Sequence, residues 1–304
     1  MSAPTITTGN IAKALWPGLN KRWGTKYNEH PAEWKDLVDV ESSSMAYEED
    51  QEMTGFGLAP VKTQGASVSY DTQGQGVTTR YTHIAYGLGF VITKEAIDDN
   101  LYEKIGMQRT GSLAFSFRQT KENVVANMYN RVISGSYLGA DGVALGSTAH
   151  PSLAGNQSNI LATAADMSEA SIEDLCIQIG GAVNSRGMKI SIMPRSLIVP
   201  INLQFEAARI LKSVGQNDTA NNAINALKAM GMFPEGVKVN HYLTDTDGWF
   251  IRTNIENGLK LFQRNEIEFS QDEDFDTANL KYKAYERYST GWSDWRGLYS
   301  SAGA

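Results

Sequence analysis

The residue types that do chemistry are sparse and scattered. His30, His83, His150 and His241 lie far apart, and none has a second ligand at metal-binding spacing. Asp272, Asp274 and Asp276 in "QDEDFD", together with Asp245 and Asp247 in "TDTDG", are the carboxylates from which a metal-dependent hydrolase would be built. "DTDG" opens like a calcium loop but lacks the third acidic position and the distal glutamate, so it reads as a turn after a strand. The one cysteine, Cys176, falls on the apolar face of an expected helix, which makes it a buried, inert thiol; alone it allows neither an intrachain disulfide nor a cysteine metal site. No Walker loop, no G-x-S-x-G elbow and no dinucleotide-binding G-x-G-x-x-G is present. "GLGF" lies on a hairpin return, a poor place to cradle phosphate. The balance favours binding or structure over catalysis, with no cofactor and no metal expected.

One stretch concentrates charge and aromatic rings. Six acids fall between Glu266 and Asp276, followed by Lys281, Lys283, Arg287 and Arg296 set among Tyr282, Tyr285, Tyr288, Trp292 and Trp295. A metal site, a nucleic-acid surface and a surface that holds chains together would each use such residues. A net charge of −7 opposes general affinity for nucleic acid, which depends on neutralising phosphates. Residues 1–28 are locally basic, with Lys13, Lys21, Arg22 and Lys26 and no acid, before the acidic run Glu48, Glu49, Asp50 and Glu52. Four charges make a weak patch, so this segment is read as a solvated or subunit-bridging arm. In the C-terminal stretch Leu280, Tyr282 and Ala284 alternate with Lys281, Lys283 and Tyr285. That period predicts a closing strand with one packed and one charged face, and makes the acidic run a solvated turn or a contact for a neighbour's basic residues.

The elements that must carry these residues follow from composition and period. At 304 residues with 41% hydrophobic and 20% charged side chains the chain is globular. It buries a sizeable core, contains no apolar run of membrane-spanning length, and is expected to be soluble and intracellular. Residues 1–45 form an arm with Trp16, Trp23, Tyr27 and Trp34, interrupted by Pro17, Gly18, Gly24 and Pro31 and without sustained period. Residues 46–92 read as a long hairpin: Val61, Thr63, Gly65 and Ser67 on one strand, Val77, Thr79, Tyr81 and His83 on the other, and "DTQGQG" as the turn. An isolated polar hairpin is marginal in water, so something outside it must support it. Thr93 caps a helical segment of about 40 residues bearing Ile97, Leu101, Ile105, Leu113, Phe117, Val124, Met128 and Val132, bent or broken at Gly106 and Gly111. A glycine-rich loop leads to an α/β region over 151–258. Its first helix has cap chemistry at Ser171 and Asp174 and stops at Gly187, "KISIMP" and "SLIVP" are strands, "INLQFEAARILKS" and "TANNAINALKAMG" are helices, and strands lie at 237–239, 249–255 and 259–262. Residues 259–304 return as strands to the first body.

This order of parts resembles the major capsid proteins of tailed bacteriophages, the Hong Kong 97-type fold. The resemblance rests on "ALWPGLNKRWGTKYNEHPAEW", "GFVITKEAIDDNLY", "STAHPSL…NQSNIL", "PRSLIVPINLQFEAARILKS" and the terminal "ERYSTGWSDWRGLYSSAGA". It implies an α+β fold with an N-terminal arm (1–45), an extended loop (46–92), a peripheral domain on a long spine helix (93–150, completed by 259–304) and an axial domain (151–258). It also implies pentamers and hexamers of this chain in an icosahedral head around double-stranded DNA, assembled in the bacterial cytoplasm. A separate scaffolding protein, a portal and a possible decoration protein would be partners; DNA contact would be non-specific at most, and no membrane is involved. The residues expected at subunit contacts are Lys13, Trp16, Lys21, Arg22, Trp23, Lys62, Tyr70, Asp71, Arg80, Asp272, Asp274, Trp292, Trp295 and Arg296. Some members lock their shells by a lysine–asparagine isopeptide bond aided by a glutamate, and Lys62 is the lysine placed for it, though no motif marks its asparagine. Within the same fold, an encapsulin-like compartment that holds cargo enzymes is the alternative to a DNA-filled head.

Overall fold

The computed structural model describes residues 8–98, 102–215 and 224–303. The arm is a helix, α1 (Thr8–Tyr27), which runs through Pro17 in its interior. A weak apolar period and an internal proline argue against an isolated helix. Tertiary burial of Leu19 and Trp23 against the rest of the chain compensates, which sequence period could not show. Then come α2 (Trp34–Leu37), β1 (Asp39–Ser42), β2 (Tyr47–Met53), β3 (Gln75–Thr82), β4 (Ile84–Ile92), α3 (Lys94–Asp98) and the spine helix α4 (Tyr102–Asn130). Thr93 caps α3 as expected, its Oγ1 accepting the Ala96 N–H; Asp99 and Leu101 lie outside the described residues.

The 29-residue α4 is roughly 43 Å long at 1.5 Å per residue. Gly106 and Gly111 do not end it. They sit where α1 crosses: a Cβ at Gly106 would touch Leu19 and Ile92, and one at Gly111 would touch Lys26 and Arg22. The expected break fails because flanking contacts hold the helix through residues of low propensity.

After α4 come α5 (Glu169–Gly180), β5 (Pro194–Pro200), α6 (Gln204–Lys212), α7 (Ala226–Met230), β6 (Val237–Asn240) and β7 (Trp249–Thr253), before β8 (Leu259–Glu273), β9 (Leu280–Trp292) and β10 (Leu298–Ser301). The α5 cap is Ser168 in a capping box with Ser171, three residues before the expected position, and α5 ends at Gly180 rather than Gly187. Residues 189–193 form no strand beyond a single bridge at Lys189, and 219–223 of the expected second helix lie outside the described residues.

One four-stranded sheet has the order β1-β8-β9-β4 and a second the order β10-β7-β5-β6. The α4 helix and α1 cover one face of the first sheet, where β9 alternates as predicted: Leu280, Tyr282 and Ala284 are buried, while Lys281, Lys283 and Tyr285 face out. The second sheet packs with α5, α6 and α7 around Ile172, Leu175, Leu197, Trp249 and Tyr299. Cys176 is buried there and its thiol is pushed up to about 12 by that burial, the inert state expected. Strand β10 joins this second sheet by pairing with β7, so the chain's end does not complete the first body alone. A core of Leu37, Tyr129, Ile198, Phe250, Leu261 and Trp295 fuses the two sheets along the C-terminal half of α4.

Candidate assembly surfaces

The projecting element is a ribbon of β2 and β3, antiparallel from Tyr47↔Thr82 to Met53↔Gln75. The expected strand over Val61–Ser67 is absent, and residues 54–74 carry no regular structure. Pro60 removes a ladder donor and glycines interrupt the run, so no strand period is sustained there. The loop is closed at its neck by Thr54 and Gly74, whose backbone and side-chain groups exchange three hydrogen bonds of 2.8–3.0 Å. Beyond the neck its side chains point to solvent, with Tyr70 96% and Val61 94% exposed and Leu58 and Lys62 also outside. The loop is tied to the segment between α5 and β5, where Arg186 donates to Asp71 Oδ2 at 2.6 Å and to the Thr72 carbonyl. The N–H groups of Gly57 and Thr72, aided by Arg186, hold the Asp71 carboxyl below its ordinary pKa. Under the ribbon a cleft of about 1020 Å³ opens between Gln73, Gly76 and Asp50 on one side and Leu153, Arg186 and Trp292 on the other.

The base of the ribbon is fixed by buried polar groups. Ser293 donates to Asp50 Oδ2 at 2.5 Å and therefore accepts from the Tyr81 hydroxyl, while the buried Lys260 reaches Asp50 and Glu41 at 3.0 and 3.1 Å. Beside them Ser43 donates to Glu48 at 2.5 Å, and the buried His83 lies 2.9 Å from Ser43 Oγ and 3.0 Å from Ser289 Oγ. Arg80 lies on the exposed flank, its guanidinium 3.7 Å from the centre of the Tyr47 ring.

The remaining expected contact residues divide. Lys21 and Arg22 are exposed on α1, whereas the side chain of Lys13 lies outside the described residues. Trp16 is half-buried and stacked on Phe269 at 5.2 Å. Trp23 is a correction: it is buried within its own chain, stacked on Phe269 at 4.8 Å and packed on Phe117, so it is core and not an available contact. The acidic run is mostly strand, because β8 extends through Glu273; only residues 274–279 form the tip. There Asp274 pairs with Lys281 at 2.7 Å and accepts from Thr277, which together lower its pKa. Asp272 is exposed, and Phe275 stands 98% exposed between the acids. Asp245 and Asp247 belong to the turn before β7 in the other sheet, and among the described residues no group of acids, histidines or cysteines could hold a metal. The hydrolase alternative therefore fails on placement.

The terminal motif also corrects an expectation. Trp295 and Arg296 are buried inside their own chain. The Trp295 ring stacks on His150 with centroids 4.2 Å apart and planes 4° from parallel. Arg296 donates to the Val183 carbonyl and to both oxygens of Asp294. His150 in turn lies 2.6 Å from Asp141 and 3.1 Å from Asn159 Oδ1, and Asn159 Nδ2 donates to the carbonyls of Leu145, Trp295 and Leu298. "STAHPSL…NQSN" and "WSDWRG" are thus two halves of one buried cluster, a pairing with no sequence signal beyond their unusual polar content. Trp292 is half-exposed and lines the cleft under the ribbon.

A family model described as phage capsid protein matches residues 76–301. The chain belongs to the phage capsid protein family. None of the curated proteins matches this capsid protein. Among solved structures it is similar to the capsid of a native GTA particle, at a TM-score of 0.57 and 12% identity over 90% of each chain. It is also similar to the capsid of Myoviridae phage XM1, at 0.50 and 12% over all of both chains. A third likeness, to a chain of Microbacterium phage Oxtober96, has a score of 0.50 at 8% identity over 89% of this chain and 90% of that one. The fold is the Hong Kong 97-type capsid fold, and the capsid protein is a structural, non-enzymatic component of a virion that associates with copies of itself.

Proposed function

We propose that this capsid protein assembles as pentamers and hexamers into an icosahedral head enclosing double-stranded DNA, with residues 54–74 of each copy lying over its neighbour. The observation that carries this reading is the loop itself. Its apolar side chains at Leu58, Val61 and Tyr70 are exposed, and among the described residues its support comes from Arg186 and the neck. Apolar groups on an exposed, irregular segment favour an interface, and a second copy is the partner a shell supplies in excess. Lys21, Arg22, Arg80, Asp272 and the half-exposed Trp292 are further contact residues in this reading; a scaffolding protein and a portal complete assembly in the host cytoplasm. Electron microscopy of particles formed by the chain, purified alone and co-expressed with a scaffolding protein, tests the proposal. Closed shells whose contents are nuclease-protected DNA support it. Shells filled with protein cargo, or monomer under all assembly conditions, overturn it.

A further inference from the structure

Strands β3 and β4 are separated by one residue, His83, and that residue is the hinge between the projecting ribbon and the four-stranded sheet. Its side chain is buried and sits in a hydrogen-bond chain with a fixed direction. Ser43 has one proton and gives it to Glu48, and Ser43 Oγ also accepts the Met45 N–H. Ser43 can therefore only accept from His83 Nε2, which fixes the donor at that nitrogen. Nδ1 of the neutral ring is then an acceptor, satisfied by the Ser289 hydroxyl. The run Ser289 to His83 to Ser43 to Glu48 links β9, the hinge, the β1–β2 connection and β2.

Acid disrupts this order. A proton on Nδ1 turns the Ser289 hydroxyl from donor to acceptor and places a cation in a buried site. The charged groups facing the ring are Glu48 through Ser43, Arg287 from β9 and Arg264 from β8. Burial, and after it the Arg287 charge, hold the imidazole below its ordinary 6.5. The folded state thus binds this proton less tightly than the unfolded chain. The contribution of His83 is complete above the ordinary imidazole pKa and is lost as pH falls below it.

We propose that His83 is a proton-operated latch at the base of the ribbon: neutral, it ties β2 to β9 through Ser43 and Ser289; protonated, it releases that side and lets the ribbon swing on the sheet. The latch acts within one chain and does not depend on what the ribbon touches.

Hydrogen exchange of the full chain between pH 7.5 and pH 5, corrected for intrinsic rates, tests it. Protection of residues 44–54 and 74–84 should fall about tenfold or more, while 280–292 keep theirs. His83→Gln, which retains a donor and an acceptor but cannot take the proton, should abolish the difference. No ribbon-specific loss in the native chain, or the same loss in His83→Gln, overturns the latch. Should that variant not fold, ¹⁵N spectra of histidine-labelled native chain decide. An Nε2–H tautomer at pH 7.5 whose titration tracks the loss of protection is expected, and an Nδ1–H tautomer or a ring neutral throughout overturns it.

Discussion

The extended loop and the terminal motif are similar in the alphabet and opposite in the fold. Each is short, contains glycine, and mixes aromatic rings with charged side chains. In the terminal motif Trp295 is packed on His150, and Arg296 is held by Asp294 and Val183. In the loop Tyr70 projects into solvent, and among the described residues Asp71 alone finds a charged partner. The difference lies in what the rest of the chain offers. Residues 141–160 present to the terminal motif a histidine, itself held by a carboxylate, and an asparagine, whereas among the described residues Arg186 makes the one ion pair to the loop from outside it. An aromatic segment becomes core when a counter-surface exists, and becomes an interface when it does not.

The largest effect should come from removing the ring that makes the terminal motif core. Trp295→Ala is expected to lower unfolding free energy by about 3–5 kcal/mol in chemical denaturation, the range for a buried aromatic truncation. A loss under 1 kcal/mol would place the motif with the loop and break the comparison. A smaller effect tests the backbone of the same motif. A Cβ on Gly297 would lie 2.7 Å from the Cα of Gly258, and backbone cannot move aside as a side chain can. Gly297→Ala should therefore cost about 1–3 kcal/mol, typical of overpacking. An unchanged melting transition would contradict that close approach.

The junction of arm and spine helix carries a pH dependence of opposite sign to that of His83. Glu122 on α4 accepts the backbone N–H of Trp34 at 2.7 Å and of Glu33 at 3.2 Å, and lies 3.2 Å from Arg118. Burial raises its pKa to about 7, against an opposing pull from Arg118. The folded chain then holds this proton more tightly than the unfolded chain does. The contribution is present below the ordinary carboxyl pKa and declines as pH rises towards about 7. Glu122→Gln should flatten the stability slope between pH 5 and pH 7 as measured by denaturant titration. A slope equal to that of the native chain would show that Glu122 titrates normally.

Legibility followed locality. The closing strand was readable because Tyr282 and Ala284 alternate with Lys281 and Lys283 at the two-residue period, and the spine helix because its apolar residues recur over many turns. The α1 helix was not readable: its stability comes from Leu19 and Trp23 meeting residues distant in the chain, among them Ile92, Phe117 and Tyr282, and Pro17 argues locally for a break. The ribbon was paired wrongly, and the expected range of 46–92 runs too far, because β4 pairs with β9 in the four-stranded sheet. Alternation at Val61–Ser67 is a local pattern, whereas the true partner of β3 is the acidic stretch Tyr47–Met53, where charge masks the strand. Among the contact residues, exposure of Lys62, Tyr70 and Arg80 agreed with their polar surroundings. Trp23, Trp295 and Arg296 turned inward because distant segments supply their partners, and no single stretch of sequence records that.

The smallest effect on stability should sharpen the comparison most. Replacing Leu58, Val61 and Tyr70 together by serine removes apolar side chains that are 85%, 94% and 96% exposed and leaves the neck at Thr54 and Gly74 and the Arg186–Asp71 pair in place. Exposed substitutions away from caps and buried groups usually change stability by less than about 0.5 kcal/mol, so thermal unfolding of the soluble subunit should be unmoved. If the loop is an interface, the same triple variant loses closed shells in sedimentation and microscopy, because contacts repeated in every copy are removed at once. A destabilised subunit would mean that the loop packs on its own chain, as the terminal motif does. Native stability with native shells would mean that the exposed side chains of the loop meet no neighbour, and the proposed overlap between subunits would be wrong.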